Sequence, residues 1–88
     1  MMVVKRKRHK EKFDERKLYG SVYAACSIAN MGEKGCEEVA GHVSKKVRSE
    51  IKKETAVSSR NISKLVVNHL KKKHKDAAFI YETHRDIS

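Results

Sequence analysis

The stretch V-V-K-R-K-R-H-K-E-K-F-D-E-R-K-L, residues 3–18, decides the fold that this sequence predicts. Within it, Val3–Arg6 and Lys10–Phe13 read as two short strands, which a tight turn would join into a hairpin. Asp14 follows at once, and aspartate is a favoured residue at the N-cap of a helix. We therefore expect a hairpin that leads directly into a helix.

The predicted hairpin would bring charged side chains of both signs to the N-terminus of that helix: Lys5, Arg6, Glu11, Asp14 and Lys17. The first backbone N–H groups of a helix have no partner inside the helix, and they attract anions. Cationic side chains beside such groups suit phosphates, because charge-assisted hydrogen bonds are the strong ones. The carboxylates suit donor groups, so the cluster fits a nucleotide.

The same stretch resembles the ATP-cone, a small nucleotide-binding regulatory domain of ribonucleotide reductases and of a bacterial repressor of their genes. In that family a strand ending in Lys-Arg leads through a tight turn to a Glu and then to a Phe-Asp-x-x-Lys-Leu/Ile helix start. Here these positions read Lys5-Arg6, Glu11 and Phe13–Leu18. The sequence departs from the family at the turn, where Lys7-Arg8 stands in place of the usual Asp-Gly.

Two later segments carry the same resemblance. Residues 57–66, VSSRNISKLV, look like the family's Val-Ser-Ser-Arg-x-Ile-x-x-Leu-Val helix start, and residues 77–86 resemble the aromatic segment that closes the domain. The resemblance covers nearly the whole chain. It implies a single domain over residues 1–88, with a β-hairpin lid at 1–13 and a helical bundle at 14–88.

Hydrophobic periodicity predicts the remaining elements. Four helices are expected, at 14 to about 31, 33 to about 53, 59 to about 73 and 76 to about 87, and Thr55–Val57 is a candidate third strand. Gly32 is expected to stop the first helix. The predicted fold class is α+β, mainly α: a four-helix bundle capped at one end by a small two- or three-stranded β-sheet built on the N-terminal hairpin.

Composition limits the class of protein and of partner. A chain of 88 residues with 39% hydrophobic residues supports one modest core. We find neither a signal-peptide pattern nor a long apolar run, so we expect a cytoplasmic protein that does not enter a membrane. The net charge of +10 indicates polyanionic partners. It does not separate nucleotide triphosphates, nucleic acid and membrane surfaces.

Two cysteines fall inside the predicted helices. Cys26 and Cys36 lack metal-site spacing and are expected to be buried free thiols. A disulfide between them would need Cα atoms within about 7 Å, which sequence does not predict.

Gly20 and Gly41 each cost about 1 kcal/mol relative to alanine in a helix. Either a close helix contact or a close ligand would explain them.

Phosphate-binding roles follow from the resemblance for Lys5, Arg6 and Lys17, and more weakly for Arg85. The competing interpretation for the first three is a solvated basic face, and for Arg85 a helix C-terminal charge. Without the resemblance, a solvated face would be the better interpretation of Lys5 and Arg6 in so basic a chain.

The other candidate ligands would contact the sugar and the base. Glu11 and Asp14 would accept from ribose hydroxyls or hold the phosphate-binding cations, although Asp14 also suits a plain N-cap. Ser59 would meet an anion or cap its helix, and Ser63 stands where the family often has His or Asp at the adenine edge. Three apolar residues would sandwich the base, with ordinary core packing as the equal alternative: Val4, Leu18 and Ile62.

No catalytic motif is present, because the sequence has no phosphate-binding Gly-rich loop, no recognisable nucleophile triad and no carboxylate pair for a metal. We expect a non-catalytic sensor that binds ATP or dATP, with Mg²⁺ as a candidate companion ion. It would regulate a protein partner in trans or a fused domain absent from this chain. The alternative is a small basic nucleic-acid-binding protein that contacts phosphates through Lys5–Lys12 and Lys71–Lys75.

Overall fold

The structure, a computed structural model, describes residues 2–4, 10–52 and 56–83. In chain order the elements are β1 (Met2–Val4), β2 (Lys10–Lys12), α1 (Glu15–Ile28), α2 (Glu33–Ile51), β3 (Ala56–Ser58), α3 (Ser59–Lys73) and α4 (Lys75–Thr83). Helix α1 packs on α2, α2 on α3, α3 on α4, and α4 back on α1. None of the helices in these ranges is long and apolar enough to span a bilayer.

The core lies among the four helices and uses the apolar positions that recur every three or four residues. On α1 the buried stripe is Leu18, Val22, Ala25 and Cys26, and on α2 it is Cys36, Ala40, Val43, Val47 and Ile51. The later helices add Ile62, Val66, Val67, Leu70, Ala77, Ala78 and Tyr81, and Val57 of β3 joins them. The buried positions of the helices therefore follow the helical spacing of their apolar residues.

The strands form a small part of the fold. β1 lies between β2, to which it is antiparallel, and β3, to which it is parallel, and each strand has only three residues. Among the described residues, β1 contacts mainly β2 and β3. Of the helices, α3 makes the main contact with the sheet, through β3. The predicted fold class, a four-helix bundle capped at one end by a hairpin-based sheet, is therefore wrong.

The length of the strands explains this correction. Side chains alternate between the two faces of a strand, so three residues place at most two on one face. Each strand has three residues, whereas the shortest described helix, α4, has nine. The fold is accordingly a helical assembly with three short paired segments. The predicted turn at Lys7-Arg8 and the predicted end of α4 lie outside the described residues.

Helix α1 ends earlier than predicted, and Gly32 has a different role. Asn30 takes the left-handed conformation with φ 62°, its N–H donates to the Ser27 carbonyl at 3.0 Å, and the Met31 N–H donates to the Cys26 carbonyl at 3.2 Å. These two bonds close the helix at Ile28 instead of Met31. Gly32 is the N-cap of α2, with φ 83° and ψ 156°.

Two glycines give opposite predictions for the same substitution. At Gly32 the positive φ of 83° strains any residue with a Cβ, so Gly32→Ala should lower the free energy of unfolding by about 1–2 kcal/mol. At Gly20, inside α1, an added Cβ meets no atom within 4 Å, so Gly20→Ala should raise it by about 0.5–1 kcal/mol.

Urea unfolding followed by circular dichroism measures both effects on the same scale. Equal losses for the two variants would contradict the conformations assigned here. The open space at Gly20 and at Gly41 also removes a close helix contact as the reason for either glycine.

The two cysteines meet where α1 packs on α2. Cys26 is 0% exposed and Cys36 is 1% exposed, and both are free thiols, as predicted. Burial, with a smaller contribution from the neighbouring Cys36, raises the pKa of the Cys26 thiol to about 11. The neutral thiol is therefore the form that the folded core accepts.

The buried thiol predicts a loss of stability in alkali. In the unfolded chain Cys26 ionises near its ordinary pKa of 9.0, whereas the folded chain keeps the proton up to about pH 11. The unfolded state thus binds fewer protons in this range, so stability falls as pH rises, by about 2 kcal/mol for this group. Urea unfolding of wild type and Cys26→Ala below and above pH 9 isolates the effect. An identical pH dependence in both proteins would refute it.

Candidate functional site

The first turn of α1 is fixed by its N-cap and by an ion pair to α2. The Asp14 carboxylate accepts from the Arg16 backbone N–H at 2.9 Å, so the N-cap role of Asp14 is confirmed. Arg48 of α2 reaches Glu15 at 3.1 Å and links the two helices at this end. Lys17 is exposed on the same turn. Its charge is therefore available to a ligand in solution.

The start of α3 lies beside the end of β1. Ser58 is the N-cap, because its hydroxyl accepts from the Asn61 N–H at 3.1 Å. Ser59, which the sequence offered as a possible cap, is instead the first helical residue and is half-buried. Ser58 also pairs with Val4 in the parallel ladder, so the C-terminal end of β1 meets the N-terminus of α3.

Tyr81 of α4 connects the N-terminal halves of α1 and α3. Its hydroxyl lies 3.4 Å from the Ser21 hydroxyl, and Ser63 of α3 lies close enough to act on its pKa. Ser21 in turn donates to the Leu18 carbonyl at 2.8 Å. Burial raises the pKa of Tyr81, and the neighbouring Ser21 and Ser63 hydroxyls oppose this rise. We call Ser21, Ser63 and Tyr81 the hydroxyl bridge.

The candidate residues thus fall into three groups. The first group belongs to α1 and α3, the helices that the hydroxyl bridge joins. It consists of Leu18, Ile62 and Ser63, together with Asp14, Lys17 and Ser59 at the starts of the same two helices. Leu18 is 6% exposed and Ile62 is 8% exposed, so each is a core residue with little surface left for a base. Val4 and Glu11 lie in the strands. Lys5, Arg6 and Arg85 lie outside the described residues.

Two of the cavities among the described residues differ in size and lining. One of about 180 Å³ is lined by Ser63, Lys64, Val67, Asn68, Lys71 and Glu82. It is smaller than the roughly 300–1,000 Å³ of ordinary ligand pockets, so these residues alone do not enclose a nucleotide. One of about 420 Å³ lies at the α1–α2 connection and is lined by Tyr23, Ser27, Asn30, Gly32, Glu33 and Cys36. Its lining contains an acid and no base, which does not suit a triphosphate.

Sequence reasoning missed Ser21 and Tyr81 as members of this region. One signal was available, because a buried tyrosine hydroxyl usually finds a hydrogen-bond partner. A second was the spacing of Ser21, one helical turn after Lys17 on the same face. Over residues 2–4, 10–52 and 56–83, no three metal-ligating side chains come together.

Comparison with known proteins identifies the family. The model of the ATP cone domain matches residues 1–87. The chain is 27% identical over 92 positions to the transcriptional repressor NrdR of two Clostridium kluyveri strains. It is covered completely in these alignments and spans 60% of the length of these curated relatives. Since the family model matches nearly every residue, this chain belongs to the ATP-cone family of nucleotide-binding regulatory domains.

Proposed function

We propose that this chain binds an adenine nucleotide, ATP or dATP, at the N-terminal halves of α1 and α3 and acts as a non-catalytic regulatory module. The observation that carries the proposal is the hydroxyl bridge, which joins the two helices at the turns that hold the candidate ligands. A ligand that contacts both helices there would also affect α4, because α4 carries Tyr81.

Phosphate binding is assigned to the exposed Lys17, together with the N-terminal backbone N–H groups of α3 near Ser59. A triphosphate concentrates several negative charges, and charge-assisted N–H···O bonds are stronger than neutral ones. Because Ser58 caps α3, the Ser59 hydroxyl is not needed for that task. The family pattern adds Lys5, Arg6 and Arg85 to this group, and Mg²⁺ would accompany the phosphates.

Sugar and base contacts are assigned to the remaining candidates. Glu11 and Asp14 would accept from ribose hydroxyls, and Ser63 would meet the edge of the adenine. The exposed margins of Leu18 and Ile62, with Val4, would contact the faces of the base. This assignment relies on the family pattern as well as on the positions of α1 and α3.

Regulation would pass through α4. A nucleotide shifts a protein between two states only if its affinity for the two states differs. A ligand contact with Ser63 would change how Ser63 acts on the neighbouring Tyr81, and so change the packing of α4 on the other helices. The regulated target would be a protein partner in trans or a further domain of the same protein.

Backbone NMR with ATP, dATP and GTP tests where the nucleotide binds. The amide signals of Lys17, Ser59 and Ser63 should move with ATP or dATP, while that of Lys45, on the exposed face of α2, should stay in place. GTP should cause smaller changes at the same concentration. Shifts confined to α2, or no shift with either adenine nucleotide, would overturn the assigned site.

A further inference from the structure

The cavity of about 420 Å³ lies at the connection between α1 and α2 and is large enough for a small molecule. Tyr23 of α1 and Glu33 of α2 both line it, with further polar groups from Ser27 and Asn30. A molecule in this cavity would therefore have an aromatic ring and a carboxylate beside it at the same time. We call it the connection cavity.

The lining of the connection cavity is acidic, although the whole chain carries a net charge of +10. Glu37 lies one turn after Glu33 on the same side of α2. Within the ranges that the structure describes, neither carboxylate has a cationic side chain at ion-pair distance. The last carbonyl groups of α1 add partial negative charge, and its last turn contains no basic residue. Burial raises the pKa of Tyr23, and Glu33 and Glu37 contribute in the same direction.

We propose that the connection cavity binds an aliphatic diamine. One ammonium group would pair with Glu33 beside the ring of Tyr23, since aromatic rings attract cations to their faces. The second ammonium group would reach Glu37, because side chains one turn apart on a helix start about 5–6 Å from each other. The cavity lies at the C-terminal end of α1, so this site is separate from the proposed nucleotide site and does not rest on it.

The side chains around the connection cavity favour an organic cation over other small ligands. Ca²⁺ and Mg²⁺ need about six oxygen ligands, and in the part of the chain that the structure describes no three metal-ligating side chains come together. An anion would meet the carboxylate of Glu33 and no basic side chain of the described lining. An uncharged molecule would gain nothing from that carboxylate's charge. An ammonium ion uses both the charge and the ring.

Backbone NMR during titration with putrescine, a linear diamine, tests the proposal. The butanediol with a hydroxyl group at each end is the matched probe, because it has the same carbon chain and no charge. Sodium chloride keeps the ionic strength constant throughout. The amide signals of Asn30, Glu33 and Cys36 should move with putrescine and reach saturation, while that of Lys45, on the exposed face of α2, should stay in place. The butanediol should cause no comparable change.

Four variants locate the binding. Glu33→Gln should weaken putrescine binding about fivefold, because it removes the charge and keeps the shape. Its control, Glu38→Gln, makes the same change at an exposed position about 140° around α2 and should bind within about twofold of wild type. Tyr23→Leu should weaken binding about threefold, whereas Tyr23→Phe keeps the ring and should bind as wild type does. Circular dichroism checks that every variant is folded.

Three results would overturn the proposal. Equal weakening by Glu33→Gln and Glu38→Gln would mean that scattered negative charge, and not this cavity, attracts the amine. Equal changes with putrescine and the butanediol would mean that the ammonium groups are not recognised. If no amide of the lining moved even at millimolar putrescine, the charge of Glu33 would serve only the N-terminus of its own helix.

Discussion

Leu70→Ala should lower the free energy of unfolding by about 3 kcal/mol. Leu70 is 0% exposed and is among the largest fully buried side chains of the core. Shortening it removes apolar burial and leaves a cavity, which together cost about 2–5 kcal/mol at such sites. Since domains of this kind are stable by only about 5–15 kcal/mol, the loss is a large share of the total. Urea unfolding measures it directly.

Leu65→Ala is the matched control for this prediction. Leu65 lies on the same helix, packs against the same core and is only partly buried. Its loss should be about 1 kcal/mol, because less of its surface leaves water on folding. If the two variants lost the same free energy, the placement of Leu70 in the centre of the core would be wrong.

Lys17→Ala should weaken ATP binding by about 10- to 100-fold with little change in stability. The proposal assigns its ammonium group to the phosphates, and a hydrogen bond to a charged group contributes about 1.5–3 kcal/mol. The side chain is exposed in the free protein, so its removal should leave the fold intact. Calorimetric titration of wild type and variant with ATP measures the change.

Lys34→Ala controls for the loss of one positive charge. Lys34 is exposed in the first turn of α2, and the proposed site does not include it. Its affinity for ATP should equal that of wild type. A similar weakening in both variants would mean that general electrostatic attraction, and not a contact at α1, holds the nucleotide.

The helices could be predicted from sequence because their signal is local. Leu18, Val22, Ala25 and Cys26 recur at helical spacing, and the buried face of α1 follows from that spacing alone. The end of α1 was harder to predict, because Asn30 and Gly32 both tolerate a positive φ. The chain uses Asn30 to close α1 and Gly32 to open α2.

The strands show where local reasoning fails. The segments beginning at Val3 and Lys10 do pair, but pairing of three-residue strands says nothing about whether they pack on helices. Val57 of β3 joins the helical core, but the strands have only three residues each. The fold is therefore mainly a helical assembly, and the predicted fold class was wrong.

The candidate site could be predicted only in part for a related reason. Motif spacing placed Asp14, Lys17 and Ser59 in the first turns of two helices, where the structure has them. The hydroxyl bridge joins Ser21 to Tyr81 across 60 positions of the chain, and no periodicity reports a contact at that separation. Only the packing of α4 against α1 and α3 reveals it.

A calorimetric titration of this protein with ATP, dATP, GTP and a short DNA duplex, with Mg²⁺ and at two salt concentrations, distinguishes nucleotide binding from attraction to a charged surface. We predict that ATP or dATP binds in preference to GTP and that this affinity survives the higher salt, because a formed site is less salt-sensitive than a charged surface. Binding of the duplex alone, lost as salt rises, with no heat from either adenine nucleotide, would contradict it.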